Sequence, residues 1–145
     1  NGVKVGVYRY SYATTASGAR REARKIIEAL DGRTLDYPIA MDMEATSVLN
    51  ATSKSDRTRI VRAFKDEIES AGHRFVLYAN LNWLNNYLDM NALSDCEVWI
   101  ARYRDFNRGH GYTGGGKVTM WQYTSTGRVS GISGNVDRDV SYKSY

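Results

Sequence analysis

Hydrophobic positions along this chain alternate between two periods. Val3, Val5 and Val7 recur at every second residue, which predicts a strand over 3–10. Short apolar runs over 39–43, 75–79, 97–103 and 118–124 predict four more. Between the first two, Ala19, Ala23, Ile26, Ile27 and Leu30 repeat at spacings of three and four, giving a helix over about 16–30 that Gly32 closes. Ile60, Val61, Phe64, Ile68 and Ala71 do the same for a second helix that starts at a Ser55 cap and stops at Gly72. A short helix is expected over 81–88, and residues 45–54 read as a polar loop. After Tyr103 the alternation stops. Gly109, Gly111, Gly114, Gly115 and Gly116 fill a loop that reaches the next strand with no helix between.

Strand–helix alternation implies an α/β fold around a mostly parallel sheet. The ends of the strands are polar and aromatic: Tyr8-Arg9-Tyr10, Asp42-x-Glu44, Tyr78-x-Asn80, Arg102-Tyr103 and Trp121-Gln122-Tyr123. In a barrel such ends converge on one site, so a barrel is the expected architecture. One domain spanning residues 1–145 fits this length, and no repeat or linker interrupts it.

The strand over 39–43 opens with Pro38, where a missing N–H costs least, and runs into Asp42-Met43-Glu44. Alternate strand residues share a face, so both acids project to the same side, roughly 7 Å apart at Cβ. Two carboxyls held that close do not ionise independently, and burial drives their pKa values apart. A protonated acid beside a charged carboxylate is the equipment of glycoside hydrolysis.

Composition narrows the field further. Net charge is +4 with twenty Lys and Arg, which favours anionic partners such as nucleic acid or bacterial cell wall. The basic residues are scattered, and the densest group, Arg20, Arg21, Arg24 and Lys25, shares its helix with Glu22 and Glu28. No clustered groove supports a nucleic-acid binder. Eleven tyrosines and three tryptophans suit sugars, whose apolar faces are rimmed by hydroxyls. His73 and His110 lack metal-ligand spacing, Gly114-Gly115-Gly116 lacks the Lys-Ser/Thr of a phosphate loop, and no G-x-S-x-G elbow occurs. No metal, cofactor or membrane insertion is expected. The single Cys96 sits among Val98, Trp99 and Ile100 and reads as a buried, inert thiol.

The run Val5-Gly6-Val7-Tyr8-x-Tyr10, the Asp42-x-Glu44 pair, Val76-Leu77-Tyr78-Ala79-Asn80, Val98-Trp99-Ile100-Ala101-Arg102-Tyr103 and the segment from Met120-Trp121-Gln122-Tyr123 to Val136-Asp137 together resemble glycoside hydrolase family 25. These are lysozymes (N-acetylmuramidases) of bacteria and phages. The resemblance implies an irregular TIM-like β/α barrel and cleavage of the β-1,4 bond between N-acetylmuramic acid and N-acetylglucosamine in peptidoglycan. It also implies action at the cell wall, by a secreted enzyme or a phage endolysin. Carried over residue by residue, it makes Glu44 the general acid, Asp42 the carboxylate that orients the substrate acetamido group, and Asp137 a further active-site acid. Tyr8, Tyr10, Tyr78, Tyr103, Trp121 and Gln122 would line the sugar groove, and Arg102 would pair with one of the acids. Such domains normally open with two further strands and an aspartate that have no counterpart here. On that ground the barrel is expected to lack its first strands, the chain to self-associate through the open edge of the strand over 3–10 or to be marginally stable as a monomer, and hydrolytic activity to be weak or lost. A binding-only fragment and a family 18-like chitinase are the alternatives. The chitinase motif wants acids where this chain has Pro38 and Ala40.

Overall fold

The computed structural model describes residues 2–145. One six-stranded sheet carries the molecule: β1 (Val7–Tyr10), β2 (Ile39–Asp42), β3 (Phe75–Asn80), β4 (Glu97–Ala101), β5 (Lys117–Gly127) and β6 (Val136–Ser141). The strands lie side by side in chain order, β1 to β5 parallel and β6 antiparallel to β5. The sheet curls into a half-barrel and does not close. Helices α1 (Ala16–Leu30), α2 (Thr46–Ala51) and α3 (Lys54–Ser70) complete the fold, with a π turn at Trp83–Tyr87 and a 3₁₀ turn at Phe106–Arg108.

Strand alternation divides the sheet into two faces. Ile39, Met41, Phe75, Leu77, Val98, Ile100 and Trp121 point to one side and join Ala19, Ala23, Ile60, Val61, Phe64 and Ile68 of α1 and α3 in the main core. Ala40, Val76, Tyr78, Ala101 and Met120 form a smaller cluster on the opposite face, with Trp99 packed against it. Burial of the first set drives folding. The second set floors an open groove.

Several elements differ from the sequence reading. β1 begins at Val7 because Val3 and Val5 are exposed and Asp36 ties down the Val5 amide at 2.8 Å. Residues 46–51, expected as loop, form the helical turn α2. The cap of α3 is Ser53, in a reciprocal capping box with Asp56. Arg57 is buried without a carboxylate and donates to the carbonyls of Leu49, Thr52 and Tyr87, tying α2, α3 and the π turn together. The glycine-rich loop is packed. A Cβ at Gly115 would lie 2.0 Å from the Met90 carbonyl oxygen, and the Tyr112 hydroxyl donates to the Gly115 carbonyl at 2.8 Å. Cys96 is fully buried and its thiol is pushed up to about 11, chiefly by desolvation. No described helix is long and apolar enough to cross a membrane.

Candidate active site

The groove lies at the C-terminal ends of the parallel strands, on the face away from the helices. Tyr8, Tyr10, Asp42, Glu44, Tyr78, Trp99, Tyr103, Gln122 and Asp137 line it, around a cavity of about 340 Å³. Register explains the convergence: Tyr10 pairs with Asp42, Asp42 with Tyr78, and Tyr78 with Trp99, so four strands place one residue each in a single row. The next row brings Ala101 beside Gln122. Beyond the ladder, the Met43 amide donates to the Tyr78 carbonyl at 2.9 Å and holds the backbone that leads to Glu44. Glu22 of α1 accepts from the Ser11 hydroxyl and the Tyr12 amide, fixing the turn after Tyr10.

The two acids occupy different settings. Asp42 is 7% exposed, and its Oδ1 is buried with no hydrogen-bond partner. Desolvation, and then the charge of Glu44, raise its carboxyl to about 7. Glu44 is half-exposed at the groove wall. Burial raises the Tyr78 phenol far above its ordinary range, with Glu44, Tyr103 and Asp42 adding to the effect, and raises Tyr10 for similar reasons. Gln122 links the far wall: its Oε1 accepts from Tyr78 at 2.9 Å and from Tyr103 at 2.8 Å, and its Nε2 donates to Asp137 Oδ2 at 3.2 Å. Asp137 thus joins the acid pair from the antiparallel strand β6.

Two expected groove residues are elsewhere. Trp121, 1% exposed, lies on the helix-side face, stacked on Phe106 at 5.4 Å with its indole N–H donating to the Arg102 carbonyl at 2.9 Å. Arg102 leaves the groove for the same reason of alternation: its neighbours Ala101 and Tyr103 face inward, and its guanidinium donates to the His110 carbonyl at 2.7 Å without a carboxylate partner. Trp99 takes the aromatic position that the sequence reading gave to Trp121. Its ring meets Tyr78 edge-on at 5.0 Å, and its indole N–H donates to Asp139 at 2.8 Å. The period-two pattern through Trp99, Ala101 and Tyr103 was the signal for it. Trp121→Phe is therefore expected to lower stability by about 1–2 kcal/mol through the lost hydrogen bond and packing, leaving saccharide affinity unchanged. Thermal melting beside calorimetric titration with a peptidoglycan saccharide checks both halves.

The family model for glycosyl hydrolases family 25 matches residues 1–132. The chain belongs to that family. The match takes in Asp42, Glu44, Tyr78, Tyr103 and Gln122 and stops short of Asp137. Among family 25 relatives, an autolytic lysozyme of Clostridium acetobutylicum is 30% identical over 140 residues, 95% of this chain and 39% of that protein. The modular autolysin LytC of Streptococcus pneumoniae, solved with a synthetic peptidoglycan ligand, superposes with a TM-score of 0.84 at 26% identity, over 97% of this chain and 34% of that one. The spore cortex lytic enzyme SleM of Clostridium perfringens gives 0.80 at 25% identity, over 95% and 49%. The chain thus spans less than half the length of these curated relatives. Among the described residues no group of three His, Cys, Asp or Glu is arranged to hold a metal ion.

Proposed function

We propose that this family 25 domain is the catalytic part of a peptidoglycan hydrolase, an N-acetylmuramidase acting at the bacterial cell wall. The observation that carries the reading is the buried Asp42 beside half-exposed Glu44 in a groove walled by tyrosines. Desolvation and the neighbouring charge of Glu44 push Asp42 up to about 7, so the proton of the pair rests on Asp42 and moves to Glu44 for catalysis, leaving Asp42 charged. Glu44, the exposed member, is the one a glycosidic oxygen can reach. Its proton passes to that oxygen, the C1–O bond breaks, and the electron pair leaves with the oxygen. The acetamido carbonyl oxygen of the same sugar bonds to C1, and Asp42 accepts from the acetamido N–H as positive charge develops there. Water then opens this intermediate, giving its proton to Glu44. Asp137 adds negative charge on the opposite wall. The lysozyme and autolysin names among the relatives, and the peptidoglycan ligand in the LytC complex, support the same substrate.

The test is product analysis. Purified peptidoglycan digested by the protein should yield fragments with new reducing ends on N-acetylmuramic acid, read by borohydride reduction and mass spectrometry. New ends on N-acetylglucosamine, or released peptides with intact glycan, would overturn the assignment.

A further inference from the structure

The donor and acceptor pattern around Gln122 has one consistent solution. Asp137 Oδ2, as a carboxylate oxygen, only accepts, so the Gln122 atom 3.2 Å away is the amide nitrogen. The amide oxygen is then turned to the tyrosines, and because a carbonyl also only accepts, Tyr78 and Tyr103 must both donate to it. Gln122 is 5% exposed and sits on β5, held by the ladder to β4 and β6, so its side chain is fixed by packing as well as by three hydrogen bonds. Both phenolic protons are thereby committed away from the acids. What Tyr78 and Tyr103 present to the groove is lone pairs.

This matters because Tyr78 is the register partner of Asp42 and lies within electrostatic range of both Asp42 and Glu44. A phenol free to rotate would donate to one of those carboxylates. That would favour the charged form and strip the proton the chemistry needs. The groups that line the groove with the acid pair are Tyr8 and Tyr10 from β1, Tyr78 from β3, Trp99 from β4, Tyr103 after it, and Gln122 and Asp137 from β5 and β6; no lysine or arginine is among them. Of the four groove tyrosines, Tyr78 and Tyr103 are the two whose hydroxyls Gln122 engages.

We propose that Gln122 is a positioning residue that holds the Tyr78 and Tyr103 hydroxyl protons away from Asp42 and Glu44, leaving the wall beside the acids an acceptor surface for substrate N–H and O–H groups. The inference rests on the glycosidase reading for its consequence, and on geometry alone for its effect on the carboxyls.

Gln122→Leu removes the acceptor at similar size. Carbon-13 NMR of labelled Asp and Glu carboxyls should then show the midpoint of the acid pair falling by about one pH unit. The high-pH limb of the kcat profile on peptidoglycan should move down by the same amount, because the acid loses its proton earlier. In a Tyr78→Phe, Tyr103→Phe background the same Gln122→Leu change should move neither, since no phenol is left to restrain. A purely structural glutamine would lower the melting temperature and leave midpoints and limb where they were, and that result overturns the proposal. A midpoint that still falls without the two hydroxyls overturns it as well. Should Gln122→Leu fail to fold, Tyr78→Phe alone serves: removing an already restrained donor should leave the midpoint within a few tenths of a unit, and a rise of a unit would show that the phenol was donating to the acids all along. If the wild-type protein cuts no peptidoglycan while the carboxyl midpoints move as described, the glycosidase reading fails and the positioning role stands.

Discussion

Glu44→Gln is expected to reduce peptidoglycan turnover by about 10²–10⁴-fold with the fold and the saccharide affinity retained. The amide matches the carboxyl in size and keeps the groove wall intact, but it has no proton to give a leaving glycosidic oxygen. Hydrolysis without that proton expels an alkoxide, and the loss corresponds to roughly 3–5 kcal/mol of transition-state stabilisation. Initial rates of muropeptide release, compared at matched circular dichroism spectra, read the effect. A variant that keeps more than about half the wild-type rate would remove Glu44 from the acid role.

Asp42→Asn is expected to pull stability and activity in opposite directions. In the unfolded chain this carboxyl titrates at its ordinary 3.8, and in the fold at about 7. At pH 4 and below both states keep the proton and the site costs nothing. As the pH climbs from 4 to 7 the unfolded chain releases its proton freely and the native state does not, so stability falls and levels off above about 7. The neutral amide escapes that loss. Asp42→Asn should therefore be more stable than the wild type at pH 8, by on the order of 2–4 kcal/mol, with the gain fading towards pH 4. Paired thermal melts across that range test the sign, and a gain that grows on acidification would contradict it. Hydrolysis should nevertheless collapse, because the amide cannot take up the charge that develops at the acetamido group. A site that destabilises its own fold in this way is what an active site under selection for chemistry leaves behind.

How far the sequence could be read follows from period-two alternation. Asp42 and Glu44 could be placed on one face, and with Tyr10 and Tyr78 they do share the groove. The same rule, applied to Trp121-Gln122-Tyr123 and to Arg102-Tyr103, separates Gln122 and Tyr103 from Trp121 and Arg102, yet a motif taken as a block carried all of them to the site. β6 has no apolar run to announce it. Val136 and Val140 are its only partly buried hydrophobics, and the pairing to β5 that makes it a strand is irregular in register at Gln122/Thr124 and Thr124/Gly127. α2 is six residues long and has no side-chain cap, so nothing local marked it as helix. Curvature is a property of the whole sheet, and no local pattern in the sequence sets it.

Each strand of this sheet hydrogen-bonds to the strand that precedes it in the chain, and none has to insert between two already in place. Assembly can therefore track synthesis, every new β-α unit docking on a finished edge as it leaves the ribosome. The acid pair on β2 is laid down early, while Gln122 and Asp137 arrive only with β5 and β6. Within this domain the wall around the two carboxyls is completed only when the β5–β6 hairpin closes.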